Sequence, residues 1–266
     1  MKQRMITGLT AALVFVLLLA LGGYPYLLCI LLMAIIGFGE FARLQGLKTN
    51  GPVTILGMAA TAYTVIPADA FKPVAALKNA LSLDAALWLI LFVLFIITVA
   101  SKNRIHIGHI LPILVGIFYI GIGFYSMVAI RWEWGFSVSL MIFGCIWMTD
   151  TGAYLCGRWF GKRKLWPAIS PKKTVEGAIG GTIFSIITAT MFAILGQDLL
   201  DRYAAIWFGL VIAILAQLGD LIQSAYKRHA GVKDSGQLLP GHGGVLDRCD
   251  SWLIVFPFLY YFIPIL

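Results

Sequence analysis

Charge is scarce in this chain. Only 12% of its 266 residues are Asp, Glu, Lys or Arg, while 60% are hydrophobic. A soluble domain carries about 25% charged and about 45–50% apolar residues. So few polar side chains cannot cover a surface facing water, which excludes an ordinary soluble globule. Cysteine is scarce as well: Cys29, Cys145, Cys156 and Cys249 are the whole supply. No CxxC pair exists, and Cys29 and Cys145 lie inside apolar runs. Neither a disulfide framework nor a thiolate metal site is expected; small apolar fillers are. A Walker A loop, a Rossmann fingerprint, a GxSxG elbow and a Ser-His-Asp order are all missing. No internal repeat, low-complexity tract or linker divides the chain. A single membrane domain over residues 1–266 is therefore expected, with 1–134 mainly scaffold helices and 135–266 the catalytic helices and loops.

What is present is apolar sequence in long runs. Nine candidate helices fall at about 6–21, 24–38, 53–66, 85–100, 107–130, 136–156, 175–195, 203–226 and 251–265. A membrane span needs about 20 residues, so the second, third and ninth runs are short. The expected fold class is all-α: a polytopic integral membrane protein of about nine transmembrane helices with cytoplasmic catalytic loops. The first 24 residues resemble a signal peptide, with a basic start, an apolar middle and small residues at the end. Many spans follow, so a retained first helix is expected.

Lysine and arginine orient the bundle. With the N-terminus cytoplasmic and nine alternating helices, Lys72, Lys78, Arg131 and Arg202 face the far side, and the other sixteen of the 20 face the cytoplasm. That asymmetry is the positive-inside pattern. Both large polar loops, near 157–174 and 227–250, fall on the cytoplasmic side. The net charge of +8 reads as topology and anionic ligands, with no nucleic acid implied.

Chemistry-bearing residues concentrate in the second half. Asp150, Tyr154 and Arg158 share one helical face at four-residue spacing. A carboxylate near the membrane faces a cavity or a partner, and an Asp150–Arg158 pairing is one such partner. Gln217, Asp220, Ser224, Lys227 and Arg228 form a polar stripe on an otherwise apolar helix. Such a stripe lines a wet cavity or a helix–helix contact. The order aspartate, serine, two cations suits a metal followed by phosphate oxygens.

Two loops add to it. In "AISPKKTVEGAIGG", Ser170 is a plausible N-cap and Pro171 a first helical residue. Lys172 and Lys173 would then oppose the helix dipole unless an anion sits there, which makes a phosphate site. The alternative is two lysines resting on an anionic leaflet. Gly177 and Gly181 read as a helix-packing pair. In "HAGVKDSGQLLPGHGGVLDRCD", Lys233, Asp234, His242, Gly243, Gly244, Asp247, Arg248 and Asp250 crowd a loop whose glycines and Pro240 forbid a regular helix. Glycines there let backbone amides approach an anion. Asp247 and Asp250 can point one way at the start of the last helix, and one of them is explicable as a cap.

Hard oxygen ligands without a Cys–His set argue for magnesium rather than zinc. Magnesium, with a second cation also conceivable, plus phosphate-seeking cations fits phosphoryl or nucleotidyl transfer. Asp220 and Asp247 are the first candidates for the metal, and Asp150 and Asp250 the second. Candidate catalytic residues are Asp220, Asp247, Asp250, Lys227 and Arg248. Candidate phosphate contacts are Ser170, Lys172, Lys173, Ser224, Arg228, Lys233, His242, Gly243 and Gly244. A polyprenol kinase-like enzyme and an ion-coupled transporter using Asp150 and Asp220 are the competing readings; the transporter expects repeat symmetry, which is not evident.

The stretch "SAYKRHAGVKDSGQLLPGHGGVLDRCD" resembles the signature of the CDP-diacylglycerol synthase (phosphatidate cytidylyltransferase) family: Ser-x-x-Lys-Arg, Lys-Asp-x-Gly, Pro-x-His-Gly-Gly and Asp-Arg-x-Asp. Every fixed position is filled, from Ser224 to Asp250. "DTGAYLCGRWFGK" and "SPKKTVEGAIGG" resemble the family's other two blocks in the same order. Cys249 stands where the family commonly has an apolar residue or threonine. The resemblance implies that CTP and phosphatidic acid in the bilayer give CDP-diacylglycerol and pyrophosphate. It also implies a magnesium requirement, a homodimer, and in a bacterium the inner (plasma) membrane with the active site facing the cytoplasm.

Overall fold

The computed structural model describes residues 2–196, 200–236 and 243–263, with side chains from residue 8 onward. His242 and Pro240 lie outside the described residues.

The chain folds as a helical bundle. In order, α1 is Lys2–Leu21, α2 Gly23–Leu44, α3 Pro52–Val65, α4 Lys72–Ala80, α5 Leu83–Ala100 and α6 Ile107–Gly116. A π-helical stretch, Ile117–Ile122, joins α6 to α7, Gly123–Glu133. Then come α8 Gly135–Phe160, β1 Lys164–Trp166, β2 Ser170–Thr174, α9 Val175–Leu195, α10 Arg202–His229, α11 Leu246–Cys249 and α12 Trp252–Phe262. Six described helical segments are long and apolar enough to cross a membrane: α2, α5, the run Ile107–Glu133, α8, α9 and α10. Three shorter apolar helices, Gly8–Leu21, Pro52–Val65 and Trp252–Phe262, accompany them. Each of the nine sequence-predicted runs therefore contains a helix among the described residues. The second is longer than its apolar run suggested, because α2 continues past Phe38 through "GEFARL" to Leu44.

The packing is that of a bundle solvated by lipid. On α9, Ile179, Ile183, Ile187 and Met191 recur every four residues and are about half exposed, at 49–57%. The opposite face buries Gly177, Gly180, Gly181, Ser185 and Ala189. Large apolar side chains outside and small ones inside is the arrangement a membrane favours, since close backbone approach drives helix association there. The Gly177/Gly181 pair does pack helices. A Cβ at Gly177 would sit 2.7 Å from the Ala153 carbonyl, and one at Gly181 2.6 Å from the Thr149 carbonyl of α8. Gly181→Val is expected to cost about 1–3 kcal/mol through overpacking. A lower melting temperature in detergent checks it, with the lipid-facing Ile179→Val unchanged.

One sequence expectation is corrected here. Ser170 is not the N-cap of a helix and Pro171 is not its first residue. Ser170–Thr174 is a strand, paired antiparallel with β1 in the register Lys164↔Thr174 and Trp166↔Ser170. Each strand of a two-stranded ribbon has a free edge, so Pro171, lacking an N–H, is tolerated. The helix starts four residues later, where Thr174 Oγ1 accepts from Gly177 N at 3.1 Å. The Glu176 carboxylate in the first turn accepts from Lys162 N at 3.0 Å and Arg163 N at 3.2 Å, tying the ribbon to α9. Lys172 and Lys173 thus sit on a ribbon rather than in a helical first turn, and the helix-dipole argument for them lapses.

Candidate active site

Four elements send charge into one cavity. α8 supplies Asp150, β2 Lys172 and Lys173, and α10 Asp220 and Lys227; the α11 turn supplies Asp247 and Arg248, with Asp250 just beyond it. All eight line a cavity of about 1080 Å³, and Asp234 joins them. Part of its lining is apolar: Ala11, Phe15 and Leu18 of α1, Cys29 and Met33 of α2, and Trp147 of α8. One space therefore carries both charged and oily lining.

The carboxylates are held differently. Lys173 Nζ lies 2.6 Å from Asp220 Oδ2, with the two side chains 24% and 33% exposed. Ser224, one turn on along α10, donates its hydroxyl to Asp220 Oδ1 at 3.2 Å. Asp247 is enclosed. Its Oδ1 pairs with Lys227 Nζ at 2.8 Å. Its Oδ2 accepts from Ser235 N and Gly244 N, both at 2.8 Å, and faces Ser235 Oγ at 3.1 Å. Burial alone would push the Asp247 carboxyl up. The Lys227 ammonium and the Gly244 and Ser235 amides outweigh it and hold the group below the usual carboxylate range. Asp250 goes the other way. Desolvation first, then the charge of Asp220, push it up to about 7, with Asp150 adding and the Ser251 N–H opposing.

Asp150, Asp220 and Asp250 act on one another as like charges, and Lys173 and Arg248 oppose them at Asp150. A cluster of this sign and hardness suits a divalent cation. Among the described residues, no group of three or more His, Cys, Asp or Glu side chains is close enough to enclose an ion on its own. Asp220 and Asp247 are the carboxylates that could hold a magnesium ion. Magnesium is commonly held by one or two carboxylates, with waters and substrate phosphates completing the shell.

Other sequence-predicted residues take up varied places. Ser170 begins β2, outside the cavity wall. Ser224 serves Asp220. The exposed Arg228 donates to the Val232 carbonyl at 3.3 Å, and Lys233 is exposed; neither lines the cavity. Gly243 has φ +83°, and a Cβ there would stand 2.6 Å from Asp247 Oδ2, so only glycine suits it. The Gly244 amide is committed to Asp247. Gln217 bridges helices, its amide donating to the Ala213 carbonyl at 3.1 Å and to the Ala178 carbonyl of α9 at 3.4 Å. Tyr154 and Arg158 touch, Nη1 to Oη 3.4 Å.

Sequence reasoning missed Glu40. Its apolar run stops at Phe38, which leaves Glu40 looking like a loop residue. In the fold it is a buried residue of α2, 1% exposed, bonded to the loop around Asp247. The available signal was an acidic residue on the continuation of an apolar helix.

A family model described as "Cytidylyltransferase family" matches residues 2–266. The chain is 38% identical over 269 residues to the phosphatidate cytidylyltransferase of Bacillus subtilis (strain 168), covering 100% of this chain and 98% of that one. It is 41% identical over 263 residues to the protein of that name from Staphylococcus saprophyticus, with 97% of each chain covered. The protein of that name from Staphylococcus aureus (strain COL) is 36% identical over 261 residues, again with 97% of each covered.

Proposed function

Because the chain belongs to the cytidylyltransferase family, we propose that it transfers the cytidylyl group of CTP to phosphatidic acid, giving CDP-diacylglycerol and pyrophosphate for phospholipid synthesis. It is a membrane nucleotidyltransferase. The observation that carries the reading is a cavity with both charged and apolar lining. A phospholipid acceptor needs apolar wall as well as a phosphate site, and here residues of α1 and α2 line the same cavity as lysines, arginine and aspartates. Ligand pockets commonly measure about 300–1,000 Å³, so about 1080 Å³ suits a nucleotide and a lipid headgroup together.

The chemistry follows from charge. A phosphate oxygen of phosphatidic acid attacks the α-phosphorus of CTP. A new P–O bond forms, the bond to the β-phosphate oxygen breaks, and the electron pair leaves with pyrophosphate. The attacking phosphate monoester is largely dianionic at neutral pH, its second pKa being about 6. No strong general base is needed, and His242 has no required proton to take. The obstacle is bringing two anions together. Lys172, Lys173, Lys227 and Arg248 line the cavity, and fixed cations aimed at developing charge stabilise it. Magnesium, held by one or two of these carboxylates, Asp220 and Asp247 first, with waters and substrate phosphates, would supply charge neutralisation of the phosphates. The low position of Asp247 keeps it an oxygen donor at neutral pH. Ser224 orients Asp220 through its hydroxyl bond.

The sixteen-to-four division of basic residues supports a cytoplasmic site, and bacterial relatives support an inner (plasma) membrane location. A homodimer belongs to the same reading; light scattering of the detergent-purified chain tests it. The function itself is tested with purified chain, radiolabelled CTP, phosphatidic acid and magnesium. Lipid-soluble label and stoichiometric pyrophosphate are expected. They are expected to disappear with chelator and to be weak with ATP, GTP or UTP. Absence of labelled lipid, or preference for a polyprenol acceptor, would overturn the reading.

A further inference from the structure

The amino-terminal half does more than support the bundle. Glu40 of α2 is buried, yet its carboxylate meets three donors from a segment about 200 residues later. Oε1 accepts from Val245 N at 3.0 Å. Oε2 accepts from Leu246 N at 3.0 Å and from the Ser235 hydroxyl at 2.9 Å. An enclosed carboxylate is costly unless such partners satisfy it, so this contact is specific. The Ser235 hydroxyl also lies 3.1 Å from Asp247 Oδ2. Its single proton serves one carboxylate at a time, while the Ser235 amide stays with Asp247.

Two glycines of the signature point to the same contact. A Cβ built on Gly236 or on Gly244 would overlap the Glu40 carboxylate oxygens. Those glycines let the backbone close around a side chain of α2. Glu40 and Asp247 together grip Ser235 and residues 244–246.

We propose that Glu40 is a positioning residue for the transfer reaction, setting the place of Asp247 through Ser235 and through the amides of Val245 and Leu246. The proposal rests on the transferase reading. Glutamine at position 40 keeps the size but offers one acceptor oxygen and an NH₂ group, so at least one of the three donors would face another donor.

The test uses purified full-length chain: wild type, Glu40→Gln, Ser235→Ala and the double variant. Each is assayed for kcat, KM for CTP, melting temperature and tryptic cleavage at Lys233 and Arg248. Glu40→Gln is expected to lose at least tenfold in kcat, with KM for CTP within about threefold, a lowered melting temperature from the buried donor left unpaired, and faster cleavage at the two sites without substrates. Ser235→Ala is expected to lose at least threefold in kcat. The double variant should lose little beyond Glu40→Gln, since both act along one connection. A folded Glu40→Gln protein with wild-type kcat and cleavage rate overturns the proposal, as do fully additive losses. Should Glu40→Gln fail to fold, Ser235→Ala decides, and wild-type kcat in that variant overturns it. Inactive wild type would instead sink the transferase reading, and this proposal with it.

Discussion

Asp220→Asn is expected to lower turnover of CTP and phosphatidic acid by on the order of a hundred- to a thousandfold, the scale seen when a preorganised electrostatic contact is removed from a reacting centre. The substitution keeps size and shape. It removes one negative charge from the cluster with Asp150 and Asp250, and it leaves Lys173 Nζ, 2.6 Å from the former carboxylate, without its counter-ion. If the carboxylate holds magnesium, the residual rate should climb as magnesium is raised well above the wild-type requirement. If it served only to pair Lys173, Lys173→Gln would restore the rate of the Asn variant. Activity measured across a magnesium titration, in protein that purifies and melts normally, separates the two. A wild-type rate at ordinary magnesium would refute Asp220 as a site residue. Stability should change little, because the ion pair is a quarter to a third exposed and such pairs contribute modestly.

Asp247→Asn should remove activity to a similar extent and also destabilise the fold, which Asp220→Asn should not. Asp247 is only 5% exposed and is surrounded by donors: Lys227 Nζ, two amides and the Ser235 hydroxyl. An asparagine turns an NH₂ group toward some of them and leaves the Lys227 ammonium unpaired. Breaking one partner of an enclosed, bonded pair costs about 3–5 kcal/mol, and somewhat less is expected for a site opening onto a cavity. The pH dependence has a definite sign. The folded carboxyl is held below its ordinary 3.8, so its contribution is present at pH above that value and is lost as pH falls through the lower folded value. Melting curves of wild type and variant should differ most near pH 7 and converge below about pH 4. A constant difference down to pH 3 would mean the loss is one of shape alone.

The helical runs and the polar residues of the second half were legible because a membrane imposes a strict code. Every backbone group must be satisfied within the helix, so spans announce themselves as apolar stretches, and each of the nine predicted runs contains a helix among the described residues. The stripe on α10 was legible for the same reason: Asp220, Ser224 and Lys227 at helical spacing on an oily helix are costly to keep. The ribbon at 164–174 was not legible. Ser170-Pro171 looks like a helix start, and only pairing with Lys164–Trp166 makes it a strand. Gly243 and Gly244 suggest amides approaching a phosphate, and sequence alone does not reveal that the Gly244 amide bonds to Asp247 or that a Cβ at either glycine would meet the carboxylate of Asp247 or Glu40.

By itself, then, the order of residues determined that this chain belongs in a bilayer, where its helices lie along the sequence, and which carboxylates and cations are too expensive there to lack a purpose. Those are local properties: apolar length, helical spacing and the cost of burying charge. Only tertiary structure decided that Lys173 answers Asp220, that Lys227 answers Asp247, and that Glu40 reaches across about 200 residues to hold the signature loop. Such partnerships depend on which helix faces meet. No period or motif within one segment carries that information, because the energy that selects it is released only when distant segments pack.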